Sequence, residues 1–326
     1  MRYASSLTVV AAVIIAGCGG SSDGGGIGGS NPPVTVPPPD LALTSDNGMQ
    51  VLQIAYATAS SSGDMAGLVT NTGISADPGA VSKLPGQLSK PLSTAISSVP
   101  IGPETVPCDV SGSITLSGDL ANPLTLSAGD TINIDADNCD DGLGEITDGL
   151  ISTTVDAFAG DITSGAYDMT MSIVLANFQV TTADDVLLNN GDVTVMLDTM
   201  TPLYVDASVR GDSMATSSNA MTETLYNYLT AQTLDTGATP SPYTMDASGT
   251  VDSSELGGVV EFSVPDMFQG FDNDYPSSGE LLVTGAGGST IRLITLDNVN
   301  IVIEIDSDGM APADETINTT WAEFTS

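Results

Sequence analysis

Hydrophobic and polar residues alternate through much of the chain from Cys108 onward. Residues 113–117 alternate Ile and Leu with Ser and Thr, and residues 131–135 alternate Ile with Thr, Asn and Asp. A period of two residues is typical of a β-strand with one buried face. The turn signals Gly118-Asp119 and Gly129-Asp130 separate these runs, and Asn190-Gly191 predicts a hairpin turn. By the same pattern we predict further strands at 146–157, 166–182, 192–198, 202–209, 258–264, 280–285, 290–296 and 299–305.

One segment ahead of this alternating region has helical periodicity. Apolar residues between 44 and 60 fall on one face at helical spacing, and Ser45 can cap the first turn. The residues on this face are Met49, Leu52, Ala55, Tyr56 and Ala59. Residues 61–107 are rich in Gly, Pro and Ser, which predicts an irregular lead-in.

Residues 221–229 fit a helix as well as a strand, and a short internal sequence similarity, the internal echo, helps to decide between the two. The segment MTETLYNY at 221–228 repeats the Met, Leu and Asn-aromatic spacing of MSIVLANF at 171–178. Because the earlier segment alternates like a strand, we predict a strand at 221–229 as well.

Closely spaced turns without intervening long helices favour an antiparallel meander over βαβ units. We therefore predict an all-β fold, as a curved sheet, sandwich or half-barrel, with one short N-terminal helix. The chain divides into residues 1–17, a tether at 18–40, the helix and lead-in at 41–107, and a β-rich domain at 108–326.

The charge balance excludes several classes of function. The 326 residues include 41 Asp or Glu, 5 Lys or Arg and no His, a formal net charge of −36. Without His there is no His-based triad or His zinc site, and so few cations cannot neutralise the phosphates of a nucleic acid. Serine nucleophiles have no His partner, so we do not expect an enzyme. The enzymatic alternative is a carbohydrate-active hydrolase that uses two carboxylates.

The N-terminus carries a targeting signal. Arg2 precedes an apolar run at 7–16, which is too short to anchor the chain across a bilayer. The run leads into IIAGC at 14–18, which resembles the lipobox of bacterial lipoproteins. The resemblance implies that residues 1–17 are a signal peptide and that Cys18 is lipidated, with acyl chains such as palmitate.

The residues after Cys18 form a tether. Gly19 stands at the second mature position, and by resemblance to Gram-negative lipoproteins the absence of Asp there implies transport to the outer membrane. Residues 19–30 are a Gly- and Ser-rich flexible coil, and the prolines at 32–33 and 37–39 stiffen the rest. A lipid-anchored domain on a spacer follows from this arrangement.

Several motifs of the β-rich domain stand out together. They are the segment 276–287, the DSDG turn at 306–309, the closing Thr320-Trp321 pair and the Cys108-x-x-Ser-Gly112 motif. This set is similar to uncharacterised proteobacterial outer-membrane lipoproteins, which implies no assigned activity. A helix followed by a curved meander is also similar to half-barrel lipoprotein carriers, which implies a carrier of apolar ligands as an alternative function.

Two cysteines remain once Cys18 is assigned to lipid. Cys108 and Cys139 are an even pair in an oxidising compartment, so we predict a disulfide that closes a loop of about 32 residues. In the chain-entropy model such a bond stabilises by roughly 3–4 kcal/mol. The alternative is a redox pair, but no Cys-x-x-Cys spacing supports it.

One acidic segment has the spacing of a metal site. Counted from Glu304, acids fall at positions 1, 3, 5 and 12, with Gly at position 6, as in an EF-hand loop. We predict a calcium site formed by Glu304, Asp306, Asp308, Glu315 and the backbone carbonyl of Met310. Glu at position 1, Ala at position 8 and a strand in place of the first helix depart from that motif. The alternative is a solvated hairpin turn.

Two further acidic segments fit no ligand template well. One runs from Asp135 to Asp148 and contains Cys139. The other is Asp272-Asn273-Asp274, flanked by aromatic rings at Phe268, Phe271 and Tyr275. Carboxylates beside rings can bind sugar, and the alternative is a polar loop pinned to a core.

The sequence therefore predicts a lipid-anchored outer-membrane lipoprotein that serves as a binding or structural module, with calcium as a candidate stabilising ion. Its expected partners are the membrane, through the lipid, and a protein or carbohydrate, but not nucleic acid.

Overall fold

A computed structural model of the protein describes residues 34–70, 102–121, 126–142, 144–161, 164–183, 185–218, 221–272 and 274–326, with backbone alone at 61–70. The predicted signal peptide, Cys18 and most of the tether lie outside the described residues.

The described residues form one long helix, fourteen strands and a short closing helix. Helix α1 spans Gly48–Thr70 and α2 spans Trp321–Phe324. The strands are β1 Glu104–Pro107, β2 Ser111–Asp119, β3 Thr131–Asp140, β4 Ile146–Asp161, β5 Ala166–Thr181, β6 Val186–Asp198, β7 Tyr204–Ser217, β8 Thr222–Asp235, β9 Pro242–Ser253, β10 Gly258–Phe271, β11 Ser278–Thr284, β12 Thr290–Thr295, β13 Asn300–Asp306 and β14 Glu315–Thr320.

The strands make a single meander. Each strand pairs antiparallel with its neighbours in the sequence, so the order in the sheet runs from β1 to β14, and the curved sheet does not close. The all-β prediction is confirmed, in its curved-sheet form. Strand 221–229 is confirmed as part of β8, whereas β9 was not predicted because its Pro, Gly and Asp residues obscure the alternation.

Helix α1 packs on one face of the sheet, against β6–β9, β11 and β12. It begins at Gly48 rather than after Ser45, which is exposed, and it continues to Thr70, so the predicted end at residue 60 is wrong. Residues 71–101 of the predicted lead-in lie outside the described residues. From Ile54 to Ala59 the residues on every side of the helix are buried, so the single apolar face predicted from the sequence is too narrow. Val51 and Leu52 are buried as well. A helix that is apolar all round is one enclosed by protein.

The predicted disulfide is confirmed. Cys108 and Cys139 are bonded, with their Cα atoms 5.5 Å apart and a sequence separation of 31 residues. Cys108 directly follows β1 and Cys139 lies in β3, so the bond joins the first edge strand to the third strand.

Three asparagines in left-handed backbone conformation interrupt the regular pairing. Asn138, Asn177 and Asn227 have φ of 47°, 50° and 43°, and the strand register shifts at each one. These are β-bulges, which bend a strand and increase its twist. The internal echo therefore has a structural reason, because it places a bulge asparagine before a buried ring at Phe178 and at Tyr228.

The predicted hairpin at Asn190-Gly191 is wrong, because both residues lie inside β6. Asn190 Oδ1 accepts the N–H of the bulge residue Asn177 at 2.7 Å. Gly191 has φ of 153°, and a Cβ there would lie 2.3 Å from the carbonyl oxygen of Ser213. The pair thus supports bulges in mid-strand rather than a turn. Asp148-Gly149 acts in the same way, since Asp148 accepts the N–H of Asn138.

We expect Asn177→Val to lower the free energy of unfolding by about 1–2 kcal/mol, because a β-branched residue resists the left-handed conformation. Asn177→Gly should stay within about 0.5 kcal/mol of the parent, since Gly adopts that conformation freely. Urea unfolding followed by the fluorescence of Trp321, the single tryptophan, measures both. Equal losses in the two variants would contradict a conformational origin.

Candidate functional site

The acidic turn between β13 and β14 brings three carboxylates together. Oxygens of Asp306, Asp308 and Asp314 all lie within 4.8 Å of one another. The turn closes through Gly309, at φ 72°, whose N–H donates to Asp306 Oδ1 at 2.8 Å. The N–H of Met310 donates to Asp308 Oδ1 at 2.9 Å. We call this group the acidic turn.

The acidic turn includes only part of the predicted ligand set. Asp306 and Asp308 are in it, but Glu304 is directed to Arg292, whose Nη1 donates to Glu304 Oε2 at 3.3 Å. Glu315 is paired opposite Ile305 in the sheet and lies outside the group. Asp314, which the EF-hand spacing does not select, takes part because the register of the hairpin places it across from Asp306.

Hydrogen bonds from Ser307 stabilise the ionised form of Asp314. Ser307 donates to Asp314 through its hydroxyl and through its N–H, the latter at 2.8 Å, and these bonds lower the pKa of Asp314. A lowered pKa means that the ionised carboxylate stabilises the turn at neutral pH, and that this contribution is lost as the pH falls through that pKa. The group therefore presents negative oxygens of the type that hard cations bind.

Calcium binding by this turn stays a prediction, and a thermal melt of the full chain tests it. Calcium at about 100 times its dissociation constant should stabilise by roughly 2.7 kcal/mol, a rise of several degrees in Tm relative to chelator. Asp306→Asn with Asp314→Asn should abolish the rise. Glu304→Gln is the matched control and should retain it. Loss of the rise in Glu304→Gln would favour the EF-hand set instead, and no rise in the parent would leave these carboxylates as turn-capping groups.

Carboxylates of the acidic segment from Asp135 to Asp148 accept hydrogen bonds from nearby backbone N–H groups. Asp148 holds the bulge at Asn138, and Asp140 Oδ1 accepts the N–H of Gly142 at 2.8 Å. Asp192, on β6, does the same for the N–H groups of Asp212 and Ser213, at 2.9 and 3.1 Å. Many acids thus have a structural role that charge counting alone does not reveal.

In the loop proposed for sugar binding, one of the three aromatic rings is buried and two are exposed. Phe268 is fully buried and cannot touch a ligand, whereas Phe271 and Tyr275 are exposed. The ring of Tyr275 stacks on buried Trp321, with centroids 5.5 Å apart. Asp274 Oδ2 accepts from the amide of Asn298 at 3.0 Å. Asn273 lies outside the described residues.

Four turns at one end of the sheet are joined into a continuous surface. The N–H of Thr236 donates to the carbonyl of Leu203, the N–H of Ser241 to Asp272, and the amide of Asn298 to Asp274, at 2.8, 2.7 and 3.0 Å. We call this surface the apolar rim because large apolar side chains are exposed along it. They are Met200, Leu203, Tyr204, Phe271, Tyr275, Leu296 and Val299.

A row of three aspartates crosses the sheet beside this rim. The sequence alone does not predict this row, because only the register of the strands places the three residues side by side. Asp168, Asp198 and Asp206 face one another across β5, β6 and β7. Desolvation by the surrounding protein, and then the charge of Asp198, raise the pKa of Asp206, whose side chain is exposed at the sheet surface. Like charges directly opposite in a sheet are destabilising.

We expect Asp206→Asn to raise the Tm at pH 7 by about 1–2 °C in low salt, because it removes this repulsion. The gain should shrink in high salt, and it should also shrink as the pH falls through the raised pKa and the native carboxyl becomes neutral. Asp119→Asn makes the same charge change opposite Thr131 and should leave the Tm within about 0.5 °C. Equal shifts would point to net charge alone. Scanning calorimetry distinguishes these outcomes.

No family model matches this chain, and no curated protein or solved structure matches it either. Over the part of the chain that the structure describes, no helix has the length and apolar character needed to cross a membrane.

Proposed function

We propose that the protein is a lipid-anchored outer-membrane protein whose folded domain is a binding or structural module. The observation that carries the proposal is the Cys108–Cys139 disulfide, since stable disulfides belong to proteins that leave the cytosol. The IIAGC segment at 14–18 supplies a matching mode of attachment.

The way the tether meets the sheet supports a display role for the apolar rim. Asp40, the last residue of the tether, accepts the N–H of Val259 through Oδ1 at 2.7 Å. The carbonyl of Leu41 accepts the N–H of Ala286 at 2.8 Å. Val259 and Ala286 lie at the end of the sheet that carries the β9–β10 and β11–β12 turns. The apolar rim is at the opposite end of the sheet from Asp40, and exposed apolar surface of this kind is typical of binding sites.

The carrier alternative is less well supported. A carrier would bind its apolar ligand against the inner face of the curved sheet. Along β6–β9 this face is occupied by α1, whose side chains from Val51 to Ala59 are almost all buried against it.

Metabolic labelling with an alkyne analogue of palmitate in a Gram-negative host tests the anchor. The full chain should be labelled and sediment with outer membranes, whereas Cys18→Ser should lose the label and become soluble. Gly19→Asp is the matched control, because it leaves the acceptor cysteine in place. It should keep the label and shift the protein toward the inner membrane. An unlabelled parent chain would overturn the proposal.

A further inference from the structure

The two edges of the open sheet are protected to different degrees. Edge strands present unpaired N–H and C=O groups, and natural proteins shield them with short length, proline, charge or bulges. β1 has only four residues and ends in Pro107. The N–H of Cys108 donates to Gly112, and by alternation the N–H that Pro107 lacks is one that would face outward.

The opposite edge, β14, has none of these protections within its central residues. The segment TINTT at 316–320 contains no charge, no proline and no glycine, and it pairs with β13 without a register shift. Among the described residues β14 has no strand partner other than β13. Thr316 and Asn318 are exposed.

The register identifies the groups on this free edge. The N–H of Trp321 donates to the carbonyl of Val299 at 3.0 Å, and antiparallel pairing alternates inward and outward groups. The N–H and C=O groups of Thr316 and Asn318 therefore face away from β13. Those of Thr320 also do, but its N–H is taken by Glu323 Oε2 at 3.3 Å.

Charge surrounds this neutral segment on both sides. Residues 300–326 carry six acids and no Lys or Arg. Glu315 lies at one end of the TINTT segment, with the acidic turn beyond it, and Glu323 lies at the other end. A second copy would bring the same negative charges together, whereas a cationic strand would find complementary charge at each end.

From these observations we propose that β14 is a docking edge for an extended peptide segment of another protein that carries Lys or Arg at both ends of a short uncharged core. The peptide would add a fifteenth strand through the outward groups of Thr316 and Asn318. This inference does not depend on the lipid anchor.

A labelled synthetic peptide, Lys-Thr-Val-Thr-Val-Thr-Lys, serves as the probe, with its Glu-ended counterpart as control. Fluorescence anisotropy with the full chain carrying Cys18→Ser, and hence without lipid, should detect the Lys-ended peptide but not the Glu-ended one. Asn318→Pro removes an outward N–H without breaking a ladder bond and should weaken binding roughly tenfold. Asn318→Ala keeps the N–H and should bind within about twofold of the parent. Thermal melts verify that both variants are folded.

A second pair of variants tests the charge contribution. Glu315→Gln should weaken binding about twofold at low salt, while Glu104→Gln on the opposite edge should leave it unchanged. Absence of binding up to about 1 mM peptide would overturn the proposal. So would a dimer, seen by sedimentation, that Asn318→Pro abolishes and Asn318→Ala retains, because the edge would then pair with a second copy.

Discussion

The burial of α1 against a single sheet is the interaction on which the rest of the structure depends. A sheet of fourteen strands has two faces, and one of them must be covered for the chain to gain stability from its apolar residues. α1 supplies the cover for β6–β9, β11 and β12, and the aromatic cluster of Tyr56, Phe268, Trp321 and Phe324 fastens it to the sheet and to α2. Ring centroids in this cluster lie 5.1–6.3 Å apart, which is within the range of favourable aromatic contacts.

Enclosure of the helix in turn requires the sheet to bend. The bulges at Asn138, Asn177 and Asn227 provide local bending in β3, β5 and β8. Each one costs backbone strain, and acceptors on neighbouring strands such as Asp148 and Asn190 compensate by satisfying the N–H groups that the bulges release. Asp and Asn therefore serve two purposes here, as surface charge and as internal supports of curvature.

Alternation predicted the fold class and most strands, and the even pair of cysteines predicted the disulfide, because each of these depends on local pattern or on composition. Prediction from the sequence pattern was wrong where one local signal is compatible with two different structures. Asn190-Gly191 fits a hairpin turn, which needs positive φ at both residues, and it fits a mid-strand position equally well. In the latter, Asn190 accepts the N–H of Asn177 and Gly191 leaves room for the carbonyl of Ser213. Only the neighbouring strand decides between them. The acidic turn likewise groups carboxylates that the sequence spacing does not select, because the hairpin register brings Asp314 beside Asp306 and Glu304 is hydrogen-bonded to Arg292 on the adjacent strand. Calcium binding by either set stays a prediction.

The junction at Asp40 and Leu41 also determines how the domain responds to force. A pull on the chain before Asp40 would be transmitted to the start of β10 and to Ala286 in the turn after β11, in the interior of the sheet rather than at either edge. Strands that flank this point on both sides share the strain, so the sheet is not peeled from β1 or from β14. α1 begins only a few residues after the junction, and its residues from Ile54 to Ala59 are buried in the core. A force on the junction would therefore have to pull α1 out of the core before it separates the strands of the sheet. A force applied through residues 34–40 would thus load the middle of the sheet and the buried helix before it loads either edge strand.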